Sequence, residues 1–128
     1  MDHSTIARTI TSVLLLGALT ACGPDTPRQV RYKADVQPLL NKHCLECHAP
    51  GGLGFAASGF SLIDYEGLLA GTRYGPMVVP GDPQSSNLLI LIEGRADPSI
   101  QMPHGGKKMP AAEIEVLRNW IAQGAPNN

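Results

Sequence analysis

Apolar residues come in short bursts along this chain, cut apart by glycine and proline. The first burst, Ile10 to Leu19, is too short to cross a bilayer as a stable anchor. Val36, Leu39 and Leu40 next fall on one helix face that Asp35 can cap, with Pro38 tolerated in the first turn. Leu68 and Leu69 mark a short helix opened by Ser61 or Asp64 and closed by Gly71. Tyr74 to Pro80 reads as an extended crossing, with Met77, Val78 and Val79 available to pack. The run Leu88 to Ile92 is helix or buried strand by periodicity alone. Asp82-Pro83, as N-cap and first helical residue, and Gly94 as a stop favour helix. Ile114, Leu117, Trp120 and Ile121 share a face of a last helix from about Pro110 to Gln123, ended by Gly124 and Pro126. Between these lie a glycine-rich loop from Pro50 to Gly59 and a second loop from Arg95 to Met109. No strand alternation and no internal repeat stands out, so the pattern predicts a small all-α domain.

The beginning of the chain reads as an export signal. Arg8 precedes the apolar run, which ends in Leu19-Thr20-Ala21-Cys22. That ending resembles a bacterial lipobox, which would make Cys22 the lipid-modified first residue after cleavage. Residues 1–21 are then a lipoprotein signal peptide and 22–31, polar with Pro24 and Pro27, a flexible tether. The folded domain is expected over 32–128. The protein would sit on the periplasmic face of a bacterial membrane, and Gly23 after the lipid site favours the outer membrane by resemblance to enterobacterial lipoproteins.

The chemistry concentrates in Cys44-Leu45-Glu46-Cys47-His48. Positions i, i+3 and i+4 of a helical turn share one face, so two thiols and an imidazole point the same way. That geometry suits covalent haem attachment, each sulfur bonding a vinyl group and the adjacent histidine ligating the iron. Two other readings compete. A dithiol redox centre would sit in a βαβ pattern, and none is visible. A zinc site could draw on Cys44, Cys47, His43, His48 and His104, but a second cysteine pair is missing.

Composition agrees with a buried cofactor. Aromatic residues make up only 5% of the 128, against 14 glycines and 11 prolines. So loop-rich a chain has few large side chains for a core, and a haem would supply apolar surface. With Cys22 on lipid and Cys44 and Cys47 on haem, no cysteine remains for a disulfide. A net charge of −1 gives no reason to propose nucleic-acid binding.

A haem that carries electrons commonly pairs histidine with methionine, which raises the potential. The candidates are Met77, Met102 and Met109. Met102 is the one in a loop directly before proline, where Pro103 holds it extended and helps present the sulfur. Arg73, Arg95 and Trp120 are candidate donors to the haem propionates.

At this point the chain resembles a class I c-type cytochrome, nearest to the short planctomycete-type cytochrome c domains. The resemblance rests on Asp35-Val36-Gln37-Pro38-Leu39-Leu40, Cys44 to His48, Val79-Pro80-Gly81-Asp82-Pro83 with Ser86 and Leu88, Met102-Pro103, and Glu113 through Trp120-Ile121 to Gly124-Ala125. It implies three to five short helices around one covalently bound haem c. Cys44 and Cys47 carry over as thioether attachments, and His48 and Met102 as axial iron ligands. The implied role is a membrane-tethered single-electron carrier, monomeric apart from complexes with redox partner proteins, and not an enzyme. A haem sensor or enzyme with a labile sixth ligand, or a haem module of a larger oxidoreductase, is the alternative. Two positions depart from the pattern: His104 where a second proline is usual, and Met109 in place of leucine. Lys107 and Lys108 could guide an acidic partner.

Overall fold

The computed structural model describes residues 27–128. The expected signal peptide, the lipidated Cys22 and the first half of the tether lie outside the described residues. A π-helical turn, Tyr32–Val36, leads into α1, Gln37–His43. After it come α2, Leu45–His48, α3, Leu53–Ser58, α4, Tyr65–Ala70, α5, Asn87–Ile92, and α6, Ala111–Ala122. A 3₁₀ turn, Pro98–Ile100, precedes the last loop. No strand occurs among the described residues; an isolated bridge pairs Thr72 with Gly75. The domain is all-α, as its apolar pattern predicts.

Three local expectations need correcting. Asp35 does not begin a helix as its N-cap: it lies inside the π-helical turn. Its carboxylate reaches back to the Arg31 N–H and the Arg28 guanidinium, each at 2.8 Å. Asp82 caps a turn rather than α5, taking the N–H groups of Gln84 and Ser85 at 3.0 and 3.1 Å. The helix begins after the buried Ser86, whose hydroxyl donates to Asp82 O and accepts from Val79 N–H. The glycine-rich stretch Pro50–Gly59 is not all loop, because α3 forms within it. Gly59 ends α3 in the left-handed region at φ 73°, its N–H bonded to Phe55 O. With that element the described residues hold six short α-helices, one more than the upper end of the expected range.

The core gathers Val36, Leu40, Leu62, Leu68, Leu89, Leu117, Trp120 and Ile121, all at most 1% exposed. Tyr32, Tyr65 and Trp120 meet edge-on or tilted, with ring centroids 5.2 to 6.4 Å apart. α6 therefore lies across the π-helical turn and α5, closing the domain. Bonds from main-chain N–H groups to side-chain oxygens fix this closure. The Val30 N–H donates to Gln123 Oε1, and the Tyr32 N–H to Asn128 Oδ1, both at 2.8 Å. Packing thus reaches two residues ahead of Tyr32, since Val30 is itself buried.

Candidate haem-binding site

α1 ends at His43, and Cys44 breaks it with φ −129° before a fresh turn begins. That turn is closed by two bonds to the Cys44 carbonyl, from Cys47 N–H at 3.2 Å and His48 N–H at 3.0 Å. Both thiols are free, Cys44 half-buried and Cys47 exposed. Burial, with some repulsion from Cys47, pushes the Cys44 thiol up to about 11. A thiol so firmly protonated is unlike the lowered thiol of a dithiol redox centre.

His48 is oriented from behind. Its Nδ1 lies 3.3 Å from the Phe60 carbonyl, which accepts only if Nδ1 carries the proton. The ring also meets the Phe60 ring edge-on, at 5.3 Å between centroids. Nε2 then keeps its lone pair, the form in which imidazole binds a metal. Burial lowers the His48 pKa against the opposing pull of that carbonyl, so the ring stays neutral at neutral pH. Leu62 N–H donates to His48 O at 3.0 Å, pinning the same residue through its backbone.

Two glycines let α3 lie directly against this turn. A Cβ on Gly54 would lie 2.8 Å from His48 Cε1 and 3.0 Å from its Nε2. One on Gly52 would lie 2.4 Å from the Cys47 carbonyl oxygen. α3 thus rests on the Cys-x-x-Cys-His turn with nothing but main chain between them. A second tie comes from α6, where Glu113 takes Lys42 Nζ at 2.7 Å and meets His43 Nε2 at 2.5 Å. Those contacts, Lys42 first, hold the Glu113 carboxyl below its usual pKa.

Met102 lies elsewhere along the chain, in the loop before α6. It is half-buried against the core, while Met77 and Met109 are buried, at 8% and 5% exposed. Those two fill the interior; of the described methionines, Met102 reaches the surface. It lines a cavity of about 280 Å³ with Gln101, Pro103, His104 and Lys108. Cys44, Cys47 and His48 do not line that cavity, so it joins Met102 to its own loop rather than to the attachment turn. A smaller cavity of about 210 Å³ lies between the end of α1 and the end of that loop, lined by Lys42, His43, Lys107, Lys108 and Pro110. Among the described residues, no three His, Cys, Asp or Glu side chains gather as a metal-ion site, which leaves the zinc reading without a ligand set.

Residues 44–106 match the family model described as Planctomycete cytochrome C. This is a planctomycete-type cytochrome c domain. Its cofactor is haem c, covalently bound, and its chemistry is haem-based electron transfer. The attachment turn fits that group: two free thiols, a neutral imidazole with its outer nitrogen available, and glycines where a side chain would intrude. Over 97 residues the cytochrome domain is also 29% identical to hydrazine synthase subunit alpha of Kuenenia stuttgartiensis. That alignment takes in 75% of this chain but only 10% of the subunit, so the chain spans about a tenth of its relative's length. No solved structure matches it.

Sequence reasoning missed Phe60 and Gly54. A backbone carbonyl leaves no mark in a sequence, and Gly54 is indistinguishable there from loop glycines. The three propionate candidates are engaged elsewhere: Arg73 with Ala56 O, Arg95 with Glu93 and Gln84 O, and the buried Trp120 indole with Pro126 O.

Proposed function

We propose that this cytochrome is a membrane-tethered monohaem carrier that passes single electrons between redox partners outside the cytoplasm. Cys44 and Cys47 attach the haem, His48 Nε2 is the proximal ligand and Met102 Sδ the distal one. The observation that carries this reading is the His48–Phe60 bond, which leaves Nε2 available on the turn that bears both thiols. Bound there, the haem supplies a one-electron ferrous–ferric couple. The chain's own residues orient the imidazole, keep it neutral and exclude side chains from its face. Two protein ligands on the iron leave substrate no open position, which favours a carrier over a catalyst. Cys22 supplies the lipid anchor in this reading, and no described helix is long and apolar enough to cross a membrane.

A second reading is supported by the partial match to an enzyme subunit: a haem module docked permanently on a larger oxidoreductase. Purification from native membranes separates the two. A carrier is recovered as a single haem-bearing chain, and a module is recovered with a catalytic subunit. Haem that leaves the wild-type chain in acidified organic solvent would overturn both, because both require the thioether bonds.

A further inference from the structure

The loop that carries Met102 carries a second side chain able to bind iron. His104, two residues on, lines the same cavity of about 280 Å³ and is exposed. Little main chain ties the loop down. From Gln101 to Gly106 the main-chain N–H bonds are those of Gln101 to Pro98 O at 3.4 Å, Met102 to Leu91 O at 3.3 Å and Gly106 to Pro103 O at 3.2 Å. Gly105 sits at φ 65° with nothing within 4 Å of where a Cβ would be, and Gly106 follows it. The segment Gln101–Gly106 therefore holds one soft ligand packed inward, one exposed imidazole, and in Gly105 an unobstructed glycine at which it can pivot.

We propose that His104 is an alternate sixth ligand, exchanged with Met102 when the iron changes oxidation state. This rests on the reading of Met102 given above. A neutral thioether is soft and favours ferrous iron, whereas imidazole is the stronger partner for the harder ferric ion. Ferrous iron thus holds the Met102 sulfur. When it gives one electron to a redox partner, the iron–sulfur bond opens and its electron pair stays on sulfur. A ring nitrogen of His104 then donates its own pair to the ferric iron, and any proton on the free imidazole passes to water. Reduction by one electron reverses both steps, and nothing is consumed. Each transfer would carry a ligand exchange, so wherever electron transfer outpaces that exchange the potential at which this protein accepts an electron differs from that at which it releases one.

The haem-loaded full chain tests this against His104→Asn and Lys108→Gln at a single neutral pH. The wild-type ferric protein should give the electron paramagnetic resonance of a low-spin iron between two nitrogens and lack the sulfur-to-iron charge-transfer band. The wild-type ferrous protein should show a strongly shifted methionine methyl resonance. His104→Asn should bring the band into the ferric protein and raise the midpoint potential. A tenfold preference of ferric iron for His104 over Met102 corresponds to about 59 mV. A wild-type ferric protein that already has the band, at the strength seen in His104→Asn, overturns the switch and leaves Met102 as the ligand. A ferrous protein with no methionine methyl signal, unchanged in Met102→Ala, overturns the Met102 reading and the switch together. If Lys108→Gln removes the two-nitrogen signal while His104→Asn keeps it, the lysine is the second ligand and the proposal fails.

Discussion

The two segments on which iron ligation would rest are built to opposite standards. Residues 44–62 are over-determined: His48 is held through its ring by Phe60 O and through its carbonyl by Leu62 N–H. The turn before it is closed by two bonds to Cys44 O, and two glycines are pressed against it. Residues 101–108 make main-chain bonds from Gln101, Met102 and Gly106, and His104, Lys107 and Lys108 are exposed. An attachment turn must present three groups in one geometry for covalent chemistry, and rigidity serves that. A loop that supplies one further ligand sets how strongly each oxidation state is held, and looseness there lets the ligand be tuned or replaced. The difference teaches that cofactor retention and potential are governed from separate pieces of chain.

Substitutions should separate these two roles. The largest effect is expected from Cys44→Ala with Cys47→Ala, which should abolish covalent haem, read by haem staining of the denatured chain. Met102→Ala should retain the haem but let carbon monoxide bind the ferrous protein much faster. Its potential should fall by about 59 mV for each tenfold loss in preference for the ferrous state. Covalent haem lost in Met102→Ala would erase the contrast between the segments. Met77→Leu should leave the potential nearly unchanged, because that side chain is core filling.

A pair of glycines sharpens the comparison. Gly54→Ala would drive a methyl into the His48 ring and the Cys47 carbonyl, so it should cost about 1–3 kcal/mol and lower haem loading. Gly105→Ala meets open space and should cost about 1 kcal/mol from its positive φ, with loading unchanged. Equal loss of haem in both variants would mean the distal loop is as constrained as the attachment turn. Chemical unfolding and haem-to-protein absorbance ratios would report the two quantities.

The smallest effect lies at the seam with α6. Because Lys42 and His43 hold the Glu113 pKa below its unfolded value, the folded state binds that carboxylate's proton less readily. Its stabilisation is therefore fully present above the unfolded pKa and is lost as pH falls through the folded one. Glu113→Gln should be the less stable protein at neutral pH and should converge on wild type in acid. A difference that persisted or widened as the pH falls well below the ordinary glutamate range would show that the ion pair is not its source.

The attachment turn was legible because its signature is local: three residues, two cysteines and a histidine, at fixed spacing need no tertiary information. Leu117, Trp120 and Ile121 were legible for the same reason, as one face of a single helix. Errors arose where local signals served a different purpose. The glycines at 51, 52, 54 and 59 suggested a loop, yet they border and fill α3, where Gly54 comes too close to His48, and Gly52 to the Cys47 carbonyl, to carry a Cβ. Asp82-Pro83 carried a helix-start signature and instead shaped the turn that buries Ser86. Arg73, Arg95 and Trp120 looked available because a sequence does not show which polar groups the main chain has already claimed.

The pairing of residues 30–33 with 123–128 sets an order of events in biosynthesis. Val30 meets Gln123 and Tyr32 meets Asn128 across 93 and 96 residues, whereas the Cys44–His48 turn closes over four. Contacts between distant residues form after local ones, since the entropy of closing so long a loop is lost before any contact rewards it. A chain arriving amino end first can therefore shape the Cys-x-x-Cys-His turn while α6 is still absent. Both sulfurs are then reachable on a preformed turn, and haem ligation can run ahead of the sealing of the domain.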